Sequence, residues 1–247
     1  MGYFSQDDIQ AVCGVNATAK TSVKAKFQAL QQYIYEQLAA NDIELSLIKS
    51  GQQAIGEESI SRHVTEDTDV LAVQYLRARG KAVTVEKLMG REEVASVNTI
   101  ITRLHPVIEV RLAESGLCVE LLLAPSAWWD QQNFKGKLAI PRHRHAFYTL
   151  LMDLDPEYTM GFWQGIHLSE MRIAGKYFQH PRILDDWLST FEPNTDWLRI
   201  GIWLDIDAEE LSSEHIKETL VNHIFALYPL YQYILWTSDN NYREFND

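Results

Sequence analysis

Along residues 18–40 the apolar side chains Val23, Phe27, Leu30, Ile34 and Leu38 recur every three or four positions. That spacing puts them on one stripe and predicts a long amphipathic helix lying on a core. Ahead of it, Ser5 followed three residues later by Asp8 has the form of a capping box and predicts the start of a short helix. The pattern then changes to a period of two over residues 43–48, which predicts a strand. The polar stretch 50–67 reads as a mobile loop, and residues 68–79 suit either helix or strand, with Gly80 closing them. Over 91–104, Val94, Val97, Ile101 and Leu104 fall on one helical face before Pro106 forbids continuation.

A hairpin is predicted next. With Leu112 opposite Leu117, Val110 faces Val119 and Ile108 faces Leu121, so the apolar residues gather on one side. The other side carries Glu109, Arg111, Cys118 and Glu120. Trp128 and Trp129 mark the exit of the hairpin, and Lys135 and Lys137 read as part of a basic loop. Pro141 and Pro181 are each placed to open a helix. In the first, Ala146, Phe147, Leu150, Leu151 and Leu154 form the apolar face; in the second, Ile183, Leu184, Trp187, Leu188 and Phe191 point inward. A last helix, capped near Ser212 or Ser213, buries Ile216, Leu220, Ile224 and Leu227. The aromatic run 228–236 reads as a final strand and 237–247 as a polar tail.

The segment Gln164-Gly165-Ile166-His167-Leu168 is answered 36 residues later by Ile200-Gly201-Ile202-Trp203-Leu204, and the same offset matches Leu184 to Leu220 and Pro193 to Pro229. This is the pattern of a tandem strand–helix repeat over 163–193 and 199–229. The whole predicts one α+β domain over 1–247, with N-terminal helices in 1–41 and a sheet core in 106–236. The sheet is mixed or mainly antiparallel with amphipathic helices on one face, and successive parallel crossovers are the alternative for the repeat units.

Composition narrows the function more by exclusion than by assignment. The chain of 247 residues carries 34 acidic and 22 basic residues, a formal net charge of −12, which opposes general binding to a phosphate backbone. Nucleic acid is therefore an unlikely partner by charge, although Trp128, Trp129, Lys135, Lys137, Arg142 and Arg144 make a basic–aromatic cluster of the kind single strands use. The two cysteines, Cys13 and Cys118, have no metal-ribbon or disulfide-framework spacing, and a reducing cytoplasm fits them best. The start of the chain lacks the pattern of a signal peptide, and no apolar run has the length of a membrane span.

No cofactor is indicated by motif. Gly51 and Gly56 have phosphate-loop spacing, but Glu57 and Glu58 stand where lysine and a hydroxyl residue belong, and two carboxylates there would repel a triphosphate. His143 and His145 lie two apart at a helix start and point away from each other, so they cannot share an ion.

The candidate site is one face of the predicted sheet. Alternation puts Trp163, Gly165 and His167 of one strand with Trp197, Arg199, Gly201 and Trp203 of the next, and the polar side of the hairpin adds Glu109, Arg111 and Glu120. Flat apolar walls with a few polar groups are typical of small-molecule sites. The first expectation is a binding or regulatory module whose ligand or protein partner meets Arg111, Trp163, Arg199 and Trp203. An alternative is a hydrolase in which Glu109 and Glu120, with His167, do acid/base work, assisted by a metal at Asp205 and Asp207. A second alternative is an acidic protein that engages basic partners.

Overall fold

A computed structural model describes residues 2–13, 17–47, 60–61, 71–91, 100–113, 116–163, 172–177 and 180–243. It divides into two compact units. The first holds Met1–Thr102, Ile108–Val119 and Trp203–Phe225, and the second Arg103–Val107, Glu120–Ile202 and Ala226–Asp247. The class is α+β, and its strands pair antiparallel.

In the first unit, α1 (Gln6–Cys13) and α2 (Ala17–Ala40) precede the short strands β1 (Ser46–Leu47) and β2 (Ile60–Ser61). Both short strands pair with β3 (Leu71–Leu76), which also pairs with β4 (Val107–Ala113), and β4 neighbours β5 (Gly116–Leu123). The capping box is formed: Ser5 N–H donates to Asp8 Oδ2 at 2.8 Å, and Asp8 N–H donates to Ser5 Oγ at 3.3 Å. The predicted stripe of α2 is the buried one, with Val23, Phe27, Leu30, Ile34 and Leu38 each 2% exposed or less. Residues of α2 meet Val73, Tyr75 and Val110 of the sheet and Leu220 of α7 (Ile216–Ile234). Val73 lies opposite Val110 and Tyr75 opposite Ile108, so this is the apolar face of β3 and β4. The other face carries Gln74, Glu109 and Arg111. Gly116, at φ +117, turns the chain into β5, and a Cβ there would stand 2.4 Å from the carbonyl oxygen of Leu204.

The second unit orders its strands β5, β8 (Trp197–Leu204), β6 (Thr159–Trp163) and β7 (Arg172–Ala174). The helices α4 (Trp128–Leu138), α5 (Pro141–Met152) and α6 (Pro181–Leu188) belong to it, with the second half of α7. In β6 and β8, Met160 lies opposite Ile200 and Gly161 opposite Arg199, in antiparallel register. Of the first repeat strand expected over 163–168, only Trp163 is among the described residues, and it lies opposite Trp197 at the end of this antiparallel pairing. The glycine match at Gly165, with residues 164–171, lies outside the described residues.

Four expectations change. Residues 128–138 are helix α4, not a basic loop, because their buried positions are filled by polar side chains that hide the usual apolar stripe. Residues 228–234 continue α7 instead of forming a strand: Leu230, Tyr231 and Ile234 are buried at helical spacing, and Pro229 is accommodated inside the helix. Pro229 has no N–H to give the carbonyl of Phe225, where the division between the two units falls. Gly80 does not end an element but lies in the first turn of α3 (Arg79–Leu88), and Ile183 of α6 is exposed. The helix predicted over 91–104 falls largely outside the described residues; its last residues, Thr102–Leu104, form a single 3-10 turn.

Candidate functional site

Glu109 sits in the middle of β4, in the first unit, with no exposure to solvent. Its Oε1 accepts from Arg111 Nη1 at 3.0 Å, and its Oε2 accepts from Nε2 of Gln74 at 3.1 Å. Gln74 is its cross-strand partner in the β3–β4 register, and Arg111 is two residues along on the same face. Arg111 is itself 5% exposed. Both carboxylate oxygens are thus engaged by neighbours that the strand pairing positions.

Glu120 and Arg199 make the corresponding arrangement in the second unit. Glu120 on β5 is fully buried and Arg199 on β8 is 2% exposed. The guanidinium meets the carboxylate through two donors: Nε donates to Oε1 at 3.0 Å and Nη2 donates to Oε2. Such a fork-to-fork pair fixes both side chains. The residue opposite Arg199 on β6 is Gly161, which has no side chain to crowd the guanidinium. Opposite Trp197 is Trp163, with Trp197 at 9% exposure.

The structure therefore brings Glu109 to Arg111 and Glu120 to Arg199, and sets Trp163 across from Trp197. His167 lies outside the described residues. Trp203, on the same alternation as Trp197 and Arg199, is half-buried and belongs to the first unit. Asp205 and Asp207 follow it, both exposed, in a turn closed by the Asp207 N–H donating to Asp205 Oδ1 at 3.0 Å. Among the described residues no group of three or more His, Cys, Asp or Glu side chains is arranged to hold a metal ion.

A buried polar cluster that the sequence reading missed lies on α4. Asp130, Gln131 and Asn133 have no exposure, and Lys137 has 5%. Asp130 Oδ1 accepts from the N–H of Trp236 at 2.7 Å. Asn133 donates through Nδ2 to the carbonyl of Ile234 at 3.1 Å and accepts through Oδ1 from the N–H of Tyr242 at 2.8 Å. Lys137 Nζ donates to the carbonyl of Tyr233 at 2.7 Å and lies 4.3 Å from the Tyr233 ring centre and 5.3 Å from that of Tyr242. Asn133 and Lys137 thus cap the last carbonyls of α7, where a cation also complements the helix dipole. Burial takes the Lys137 amine down to about 8.

Arg243 stacks 3.4 Å over Trp129, completing a seat for residues 235–243. Gly136 is required by it: a Cβ there would stand 1.6 Å from the carbonyl oxygen of Tyr242. The signal in the sequence was Asp130, Asn133 and Lys137 at helical spacing, which resembles a solvated face when read by polarity alone.

Compared with known proteins, the chain matches no protein-family model and no curated protein. The site's chemistry therefore rests on its geometry. No described helix is long and apolar enough to cross a membrane.

Proposed function

We propose that the protein is a binding or regulatory module that meets its ligand or partner at Trp203 and the adjoining turn of Asp205 and Asp207. The observation that carries this reading is the contrast in exposure along the candidate face. Arg111, Trp197 and Arg199 are buried, whereas Trp203 is half-buried and the two aspartates after it are exposed. A flat indole beside two carboxylates suits a ligand or protein segment with an apolar part and a cationic group. The buried carboxylates then serve as counter-charges to Arg111 and Arg199, since Glu109 and Glu120 are closed to solvent and hydrogen-bonded through both oxygens. The two cysteines, without disulfide-framework spacing, favour action in a reducing cytoplasm.

The test is thermal unfolding of the full chain, followed by tryptophan emission, against divalent metals, nucleotides, sugars, amino acids, polyamines and basic peptides. A ligand at a hundred times its Kd adds about 2.7 kcal/mol, a rise of roughly 5–10 °C for a chain of this size. The expected result is a rise with a cationic organic ligand or basic peptide that disappears in Trp203→Ala and weakens in Asp207→Asn. Metal-dependent hydrolysis that is lost in Asp205→Asn, with no response to any cationic ligand, would replace this reading with the hydrolase.

A further inference from the structure

The seat of residues 235–243 holds a titratable group that none of its hydrogen bonds explains. His143, on α5, places its ring 4.6 Å from that of Tyr242, edge to face. Its backbone carbonyl accepts from the hydroxyl of Tyr233 at 3.0 Å, which ties this turn of α5 to α7. The Nε2 atom is shielded from solvent and has no hydrogen-bond partner among the described residues. Among the described residues, the charged and titratable groups beside it include Lys137 from α4, Arg142 from α5 and Tyr242 from the segment, with Tyr233 from α7 at its backbone. Two of these, Lys137 and Arg142, are cations.

A neutral imidazole suits this place and an imidazolium does not. The extra proton would create a shielded N–H without an acceptor, beside two positive charges. We propose that His143 makes the C-terminal segment 235–243 an acid-released latch: protonation of its ring loosens Tyr242, and with it the backbone bonds to Asn133 and Asp130. Release moves Tyr242 off the ring and returns Nε2 to water, where the imidazolium is stable. The direction of the His143 shift agrees, because burial, Arg142 and Lys137 all lower its pKa in that order. A folded-state pKa below the released-state value means that the latch is fully held above about pH 6.5 and is progressively lost as pH falls below it. Lys137 stays cationic throughout that window, since burial takes it only to about 8.

Hydrogen exchange on the full chain reads the latch directly, through the N–H of Trp236, which donates to Asp130, and that of Tyr242, which donates to Asn133. Protection is measured at about pH 7.5 and about pH 5.8, either side of the ordinary histidine value, and corrected for the intrinsic rate. The expected result is a severalfold loss of protection at these two amides on acidification, with α2 and β8 amides unchanged. In His143→Phe, which keeps an aromatic ring against Tyr242, that loss is expected to vanish. His143→Gln serves the same purpose should the phenylalanine variant fail to fold. Equal protection at the two pH values in the native chain would overturn the proposal, as would an undiminished acid response in a folded His143 variant.

Discussion

At the scale of single residues, the interior holds polar groups of two opposite kinds. Gln31 of α2 is 1% exposed, and among the described residues neither end of its amide has a partner; the hydroxyl of Tyr75, lining the same space, has none there either. A buried unsatisfied group costs about 1–3 kcal/mol, so Gln31→Leu is expected to stabilise the protein by about that amount. Urea unfolding gives the figure, and a loss of stability would mean that the amide has a partner in solution. Glu120 is the opposite case. Glu120→Gln removes the carboxylate charge that meets Arg199 through two donors, and a cost of about 3–5 kcal/mol is expected. Replacing both residues by methionine should recover much of that cost, and a double variant as unstable as the single one would show that the pair is worth more than its packing. The charged residues themselves were legible, since alternation along the strands put Glu109 and Arg111 on one face. Their burial was not, because a sequence does not show which side of a sheet is covered.

Elements whose core is apolar were read from periodicity, and those held by polar groups were not. The α2 stripe and the buried Ile216, Leu220, Ile224 and Leu227 of α7 follow directly from spacing. Helix α3 escaped notice because Gly80 and the run Val83, Thr84, Val85 have weak helix propensity. Glu86 in its last turn is fully buried, pairing with Arg91 and accepting the N–H of Ile101 at 2.9 Å. The capping box of α1 supports an acid-side prediction. Burial raises the Asp8 pKa, but the hydrogen bonds from Lys26 and Ser5 and the Lys26 charge outweigh it and leave a net lowering. A lowered carboxylate contributes stability above its unfolded value, near 3.9, and loses it as pH falls through the folded one. Asp8→Asn is therefore expected to cost about 0.5–2 kcal/mol at neutral pH and to lie closer to the native protein in acid, as chemical unfolding at both pH values would measure. On α4, Gly136→Ala should displace Tyr242 and expose Trp236, seen as a red shift in emission; an unchanged spectrum would mean that the backbone yields instead.

For the whole molecule, a net charge of −12 and an isoelectric point near 5.1 set its behaviour in solution. Self-repulsion opposes association at neutral pH, and light scattering is expected to show association rising toward pH 5.1. A maximum well above that pH would point to charge gathered on one flank, in keeping with basic partners. The sequence by itself determined the α+β class, the long helix and its stripe, the capping box, the hairpin strands and the helix starts at Pro141 and Pro181. All of these depend on neighbours within a few residues, where periodicity, capping and proline geometry act. Tertiary structure alone decided that β6 runs antiparallel to β8, that Glu120 finds Arg199, and that the polar side chains of α4 are buried against residues 233–243. Each joins residues far apart in the chain, and a polar side chain carries no mark of whether its partner will be water or a distant backbone.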